Sequence, residues 1–260
     1  MRARPVRAVA ALAAGLALVL GGCGGDEGEG ADAPRLTVSA ATSLTNAFED
    51  YGERFEPATA RFNFAGSDEL AAQIRQGVKP DVYAAANTKL PDQLFEEGKV
   101  EKPVTFAGNR LVIAAPRDPG EVSGLDDLAK PGLKLAIGAE GVPVGDYARE
   151  VIGRQPETKA RAILANVRSE EPDVGGVVGK LAQGAADAGL LYITDVTAAK
   201  DDVRAIELPD ELQPSVEYGV AVVKGAKEPE AARRFIDGLL EGAGLRAMRR
   251  AGFEPPPASP

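Results

Sequence analysis

Two serines stand where a strand is expected to give way to a helix. Ser43 follows the apolar run 36–40 through Ala41-Thr42 and opens Leu44-Thr45-Asn46-Ala47-Phe48, while Ser67 follows the run 62–64 through Ala65-Gly66. In open α/β sheets such junctions lie at the carboxyl ends of strands, beside helix N-termini whose unpaired N–H groups attract anions. Each serine also suits an N-cap, which stabilises its helix by about 1 kcal/mol, and both readings stand. Two further junctions lack a hydroxyl. Gly141-Val142-Pro143-Val144-Gly145-Asp146-Tyr147 sets a helix-starting proline between glycines, and Pro172-Asp173-Val174-Gly175-Gly176 has a similar character. There the chain either presents backbone N–H groups or simply turns. Tyr192 ends the run Gly189-Leu190-Leu191 and would arrive at the same edge, as a phenol donor or as a packed core tyrosine. The chemistry on offer is recognition of an anion by neutral donors.

The rest of the composition narrows the alternatives. Histidine is absent and cysteine occurs once in 260 residues. That removes Ser-His-Asp and Cys-His triads, His-ligated zinc, Cys-cluster metal sites and internal disulfides. No segment has the form GxxxxGK[ST], so the chain has no P-loop for nucleotide hydrolysis. Ser43 is followed by Leu44-Thr45-Asn46 rather than an SxxK pattern, and nothing places a base beside it. The formal net charge is −9, and the one basic concentration is at the extreme N-terminus, which argues against nucleic-acid binding. Hydrophobic residues at 44% and charged residues at 27% are ordinary for a globular chain long enough for one or two domains.

Short apolar runs at 36–40, 62–64, 81–85, 111–115, 133–137, 189–193, 203–208 and 216–223 alternate with helical patterns. That alternation predicts largely parallel sheets covered by helices. Leu44, Ala47, Phe48 and Tyr51 share one helical face, as do Val174, Val177, Val178 and Leu181. Further helices are expected at 68–77, 91–98, 145–153, 157–165, 229–240 and 243–251.

At the N-terminus, Arg2, Arg4 and Arg7 precede an apolar run over 8–20, which suits a signal peptide and is short for a membrane span. Leu20-Gly21-Gly22-Cys23 resembles the bacterial lipobox, in which the cysteine becomes the lipidated first residue. Cleavage of residues 1–22 would remove those three arginines and take the charge from −9 to −12. Residues 23–34, rich in Gly and acid, read as a flexible tether.

Several of these segments together resemble the periplasmic molybdate-binding protein family of ABC importers, over about Leu36 to Phe253. They are, in order, Ala40-Ala41-Thr42-Ser43-Leu44-Thr45-Asn46-Ala47, Phe64-Ala65-Gly66-Ser67, Val142-Pro143-Val144-Gly145-Asp146-Tyr147-Ala148, Pro172-Asp173-Val174, Gly189-Leu190-Leu191-Tyr192 with Asp195, and Arg250-Ala251-Gly252-Phe253. The resemblance implies that Ser43 and Ser67 give a hydroxyl and an N–H each, Val144 and Val174 an N–H each, and Tyr192 its phenol, to a tetrahedral oxyanion. Molybdenum would be present only as that anion, with no cofactor. It also implies a type II periplasmic-binding-protein fold, two α/β lobes of mainly parallel sheet joined by two crossing segments. The first lobe is expected over 35–108 and 220–255, the second over 109–219.

The expected partners are molybdate or tungstate, an ABC permease and its ATPase, and the membrane through a Cys23 lipid anchor, with the protein itself a monomer outside the cytoplasm. A receptor for sulfate or another tetrahedral oxyanion is the nearest alternative, followed by an anchored interaction module. Phosphate fits less well, because its proton needs a buried acceptor and the five groups only donate. Asp68 departs from the family pattern and is expected to face outward, complementing its helix N-terminus. Asp173 and Asp195 are expected to cap helices or support the scaffold.

Overall fold

The computed structural model describes residues 34–256 other than Pro119 and Glu121, so the expectations for the signal peptide, Cys23 and nearly all of the tether lie outside the described residues. The chain begins with β1 (Arg35–Ala41), a 3-10 turn (Thr42–Leu44), α1 (Thr45–Gly52), β2 (Thr59–Ala65), α2 (Ser67–Arg75), β3 (Val82–Ala85), α3 (Lys89–Glu96) and β4 (Val104–Asn109). It continues through β5 (Leu111–Pro116), a second 3-10 turn (Leu125–Ala129), β6 (Leu135–Gly138), α4 (Pro143–Gly153), α5 (Glu157–Leu164), β7 (Val167–Glu171), α6 (Val174–Ala182), β8 (Ala188–Tyr192), α7 (Ile193–Ala198) and β9 (Val203–Glu207). After a third 3-10 turn (Asp210–Leu212) come β10 (Val216–Val222), α8 (Pro229–Glu241) and α9 (Ala243–Arg250).

Two five-stranded sheets result, ordered β2-β1-β3-β10-β4 and β7-β6-β8-β5-β9. Neighbours β1–β2, β1–β3, β6–β7 and β6–β8 are parallel. The strands that arrive by crossing between sheets run against their neighbours: β10 is antiparallel to β3 and β4, and β5 to β8 and β9. The expectation of largely parallel sheets therefore holds for the βα units and gives way at the crossings, where the chain enters without a helical crossover to reverse it. The first sheet takes up the returning chain at Val216, so residues 216–219 belong to the first lobe's sheet; a boundary at 220 would cut through β10.

Burial follows from the layers. Strands β3, β6 and β8 are buried at every residue, as expected for strands covered on both faces. The first lobe packs an aromatic core, in which Phe48 and Phe235 meet edge to face with centroids 5.5 Å apart and Phe55 lies 5.3 Å from Phe235. The second lobe's core is mostly aliphatic, with Ile113, Leu135, Ile137, Val151, Ile163 and Leu190 fully buried. Asp81 ties the first lobe together: it accepts from Thr37 N–H and hydroxyl, each at 2.7 Å, and from the N–H groups of Lys227 and Glu228 at 2.7 and 2.9 Å. Burial alone would raise its pKa, but these bonds together hold it below the usual carboxylate value.

The two crossings are stitched side by side. Arg110 is the single residue between β4 and β5. Gln213, on the return crossing, accepts from Leu111 N–H at 3.2 Å and donates to Leu111 C=O at 2.9 Å. A main-chain pair satisfied by one side chain fixes the spacing of the crossings while leaving each free of a continuous ladder.

Candidate functional site

Each of the four junctions singled out above ends at the same place. The 3-10 turn carrying Ser43 and the start of α2 carrying Ser67 come from the first lobe, and the starts of α4 and α6 from the second. Ser43, Ser67, Val144, Val174 and Tyr192 all line one small cavity between the lobes. Its volume is about 20 Å³, which exceeds the space that one ordered water needs.

Local structure explains which groups face inward. Gly66, not Ser67, is the N-cap of α2, and Ser67 is the first helical residue with no side-chain cap. The N-cap alternative for the two serines therefore fails: Ser67 Oγ accepts from Ala86 N–H at 3.1 Å, and Ser43 Oγ lies 3.0 Å from Tyr218 Oη. Ser67 is 2% exposed, and its carbonyl accepts from Tyr83 Oη at 2.7 Å. In α4 the proline occupies the first turn, where its missing N–H costs nothing, and the first intrahelical bond is Asp146 N–H to Val142 C=O. The N–H of Val144 thus has no partner within the helix. In α6, Asp173 is the N-cap and takes Gly176 N–H at 2.9 Å, leaving Val174 N–H for other use. Asp195 similarly accepts from Tyr192 N–H at 3.2 Å. Both aspartates act as the capping groups expected from sequence.

Tyr192 differs from every other group in the cavity wall. It is fully buried at the end of β8, its ring lies edge to face with Tyr147 and Tyr218 at 6.3 and 5.7 Å, and its hydroxyl has no hydrogen-bond partner. Burial drives its pKa well above the ordinary phenol value, so it is a neutral donor. A buried hydroxyl left unpaired costs about 1–3 kcal/mol, which a bound acceptor would recover.

The acidic groups nearby are arranged unevenly. Asp68 does not simply face outward. Its carboxyl lies over the first-turn N–H groups of Asp68 and Glu69, but burial outweighs their effect and raises its pKa, and Oδ1 is shut off without a partner. The second lobe approaches α2 closely here: a Cβ on Gly66 would lie 2.5 Å from the Pro172 carbonyl oxygen. Burial also pushes the Asp195 carboxyl up to about 8. Across the interface Thr42 donates to Asp173 at 2.9 Å.

A second, larger hollow of about 560 Å³ lies between α1 and α9 on one side and α6 and α7 on the other, sharing Thr42, Ser43 and Val174 with the cavity. Sequence reasoning missed Thr42 and Ala86 in the cavity wall and the groups behind Ser43, namely Tyr218, Asn109 and Thr194. Thr42 lies inside the segment singled out for Ser43; the others carried no local signal. Among the described residues no cluster of His, Cys, Asp and Glu suits a metal ion, and no helix is long and apolar enough to cross a membrane.

A cleft between two α/β lobes, walled by helix N-termini and hydroxyls, is the architecture of a solute receptor. Residues 36–254 match the family described as bacterial extracellular solute-binding protein, and the chain belongs to it. Among its relatives, the molybdate-binding protein ModA of Mycobacterium tuberculosis is 35% identical over 85% of each chain. The molybdate-binding protein ModA of Escherichia coli is 30% identical over 86% of this chain and 90% of its own. Among solved structures, the substrate binding domain of a putative molybdenum ABC transporter from Clostridium difficile is 28% identical, with a TM-score of 0.63 over 85% of this chain and 98% of its own. The Azotobacter vinelandii periplasmic molybdate-binding protein shares the fold, with a TM-score of 0.74 at 21% identity over 85% and 99%.

Proposed function

We propose that this protein is an exported receptor that captures molybdate between its two lobes. Tungstate would be accepted in the same way, and the ion handed to a membrane permease driven by an ATPase. The observation that carries this reading is the unpaired, fully buried Tyr192 hydroxyl facing a cavity walled by Ser43, Ser67, Val144 and Val174. Those five residues are proposed as the binding set, supplying hydroxyl and main-chain donors and no cation. Charge-assisted hydrogen bonds contribute about 1.5–3 kcal/mol each, so several converging donors offset the desolvation of a dianion that no single group could hold. The overall negative charge is compatible with this, since exposed carboxylates beyond about 8 Å are screened at physiological ionic strength. The relatives named as molybdate-binding proteins favour molybdate over sulfate among tetrahedral oxyanions. Export rests on the N-terminal sequence and the family, and anchoring through a lipid on Cys23 on the N-terminal sequence alone.

Because groups from both lobes face the ion, binding supplies contacts that the separated lobes lack, and so favours the closed state. Isothermal titration calorimetry with molybdate, tungstate and sulfate tests the proposal; the absence of tryptophan makes intrinsic fluorescence a poor probe. One-to-one binding of molybdate is expected, weakened at least about tenfold, or 1.4 kcal/mol, by Ser43→Ala with Ser67→Ala. Undiminished affinity in the double variant would exclude this cavity. Labelling with radioactive palmitate should mark the wild type and not Cys23→Ala, and equal labelling of the two would remove the anchor from the account.

A further inference from the structure

Behind Ser43 lies a chain of buried polar groups that does not reach the cavity. Asn109, at the end of β4 where the chain crosses to the second lobe, donates from Nδ2 to Thr194 Oγ1 at 2.9 Å and to Tyr218 Oη at 3.3 Å. The orientation of its amide is not arbitrary: Oδ1 accepts from Arg110 N–H at 2.9 Å, so the nitrogen must face Tyr218 and Thr194. Tyr218 Oη, fully buried in β10, has two partners, Asn109 and Ser43. An amide nitrogen can only donate. The phenol proton therefore has one acceptor within reach, Ser43 Oγ; were Ser43 the donor instead, a buried phenol proton would be left unpaired.

With Tyr218 donating to it, Ser43 keeps its own proton for another partner. The same arrangement recurs at Ser67, whose Oγ accepts from the Ala86 main chain. Both hydroxyls thus have an acceptor site taken up by a protein donor, and each turns a proton outward.

We propose that Tyr218 and Asn109 are positioning residues that fix the polarity of the Ser43 hydroxyl, so that Ser43 meets the ligand as a donor and the site favours oxyanions that carry no proton. This rests on the receptor reading above and adds to it the means by which the Ser43 proton is directed at the ligand. A hydroxyl free to rotate would accept from a P–OH group as readily as it donates to an oxyanion. The two positioning residues stand in β4 and β10, the strands of the first sheet that adjoin the two crossings, so the same bonds that orient Ser43 also join it to the hinge.

Titration calorimetry of the wild type, Tyr218→Phe and Asn109→Asp with sodium molybdate and with inorganic phosphate near neutral pH tests this, with thermal melting to verify folding. The wild type is expected to bind molybdate and discriminate against phosphate, which holds one proton at that pH. In Tyr218→Phe, molybdate affinity falls about tenfold, as when one charge-assisted bond is loosened, and the ratio of molybdate to phosphate affinity falls by a similar factor. In Asn109→Asp, the ionised carboxylate accepts the Tyr218 proton, Ser43 turns to donate to Tyr218, and molybdate affinity falls further. That loss is regained as the pH is lowered and the new carboxyl becomes protonated, a pH profile that a purely structural defect would not produce. An unchanged ratio in both folded variants, with the wild type binding molybdate, would overturn the relay alone. A wild type that binds neither anion would overturn the receptor reading and the relay with it.

Discussion

Ser43 and Ser67 come to the cavity as side chains already engaged within the first lobe, by Tyr218 and by the Ala86 main chain. Val144 and Val174 come from the second lobe through N–H groups at the starts of α4 and α6, and Tyr192 through a hydroxyl with no partner at all. One half of the wall is pre-oriented by bonds that persist without ligand, whereas the other holds capacity that only a ligand can fill. The difference separates stability from affinity. Changes to engaged groups in the first lobe should cost folding energy as well as binding, and changes to the unfilled groups of the second should cost binding with little effect on the fold.

Tyr192→Phe tests this most severely. Removing an unpaired buried hydroxyl should leave the melting temperature unchanged or higher, while molybdate affinity drops about ten- to a hundredfold, the equivalent of one charge-assisted bond. Calorimetry and a melting curve on the same sample decide it; a large loss of stability would mean the hydroxyl has a partner in the protein. Gly66→Ala comes next. The dihedral angles of Gly66 suit any residue, so the effect should come from its Cβ meeting Pro172 across the interface. Overpacking of about 1–3 kcal/mol would weaken binding by up to about a hundredfold. Small-angle scattering with saturating molybdate should then show a more open molecule than the wild type.

Tyr83→Phe is the counterpart of Tyr192→Phe in the first lobe. Its hydroxyl donates to the Ser67 carbonyl at 2.7 Å, so its loss should lower stability by about 1 kcal/mol in urea unfolding and disturb binding less than Tyr192→Phe does. The smallest effect is expected from Asp68→Asn. The raised pKa of Asp68 means that the closed, folded protein holds this proton more tightly than the unfolded chain, so its charge costs stability above the ordinary carboxylate pKa and that cost disappears as the pH falls. Removing the charge should strengthen molybdate binding a few-fold near neutral pH, about 0.5–1 kcal/mol. It should also flatten the gain in affinity expected for the wild type as the pH falls and Asp68 takes up its proton.

What could be read from the sequence was whatever had a local chemical signature. Serine after a short apolar run, proline between glycines and an acid at a cap mark strand-to-helix junctions, and all four junctions were found that way. Strand β7 was missed because Val167–Glu171 lies at a sheet edge with partly exposed, largely polar residues and no apolar run. Strand β4 was missed because its apolar residues are few and its last residues, Gly108 and Asn109, read as a turn. Helix α7 follows Tyr192 without a break, and its Ile, Thr and Val residues disguise it as more strand. The relay behind Ser43 lay further out of reach. Its bonds join residues 85, 109 and 175 positions apart, and only the crossing of the two lobes brings them together. Likewise the antiparallel course of β5 and β10 depends on where the chain changes sheets, which leaves no mark in either strand's own residues.

The most direct measurement is anomalous diffraction at the molybdenum absorption edge from crystals grown with molybdate. The account predicts one strong peak between the lobes, within hydrogen-bonding distance of the Tyr192 and Ser43 hydroxyls, the Ser67 hydroxyl and the N–H groups of Val144 and Val174. A peak in the larger hollow between α1, α9, α6 and α7, or none in the cavity at saturating molybdate, would contradict it.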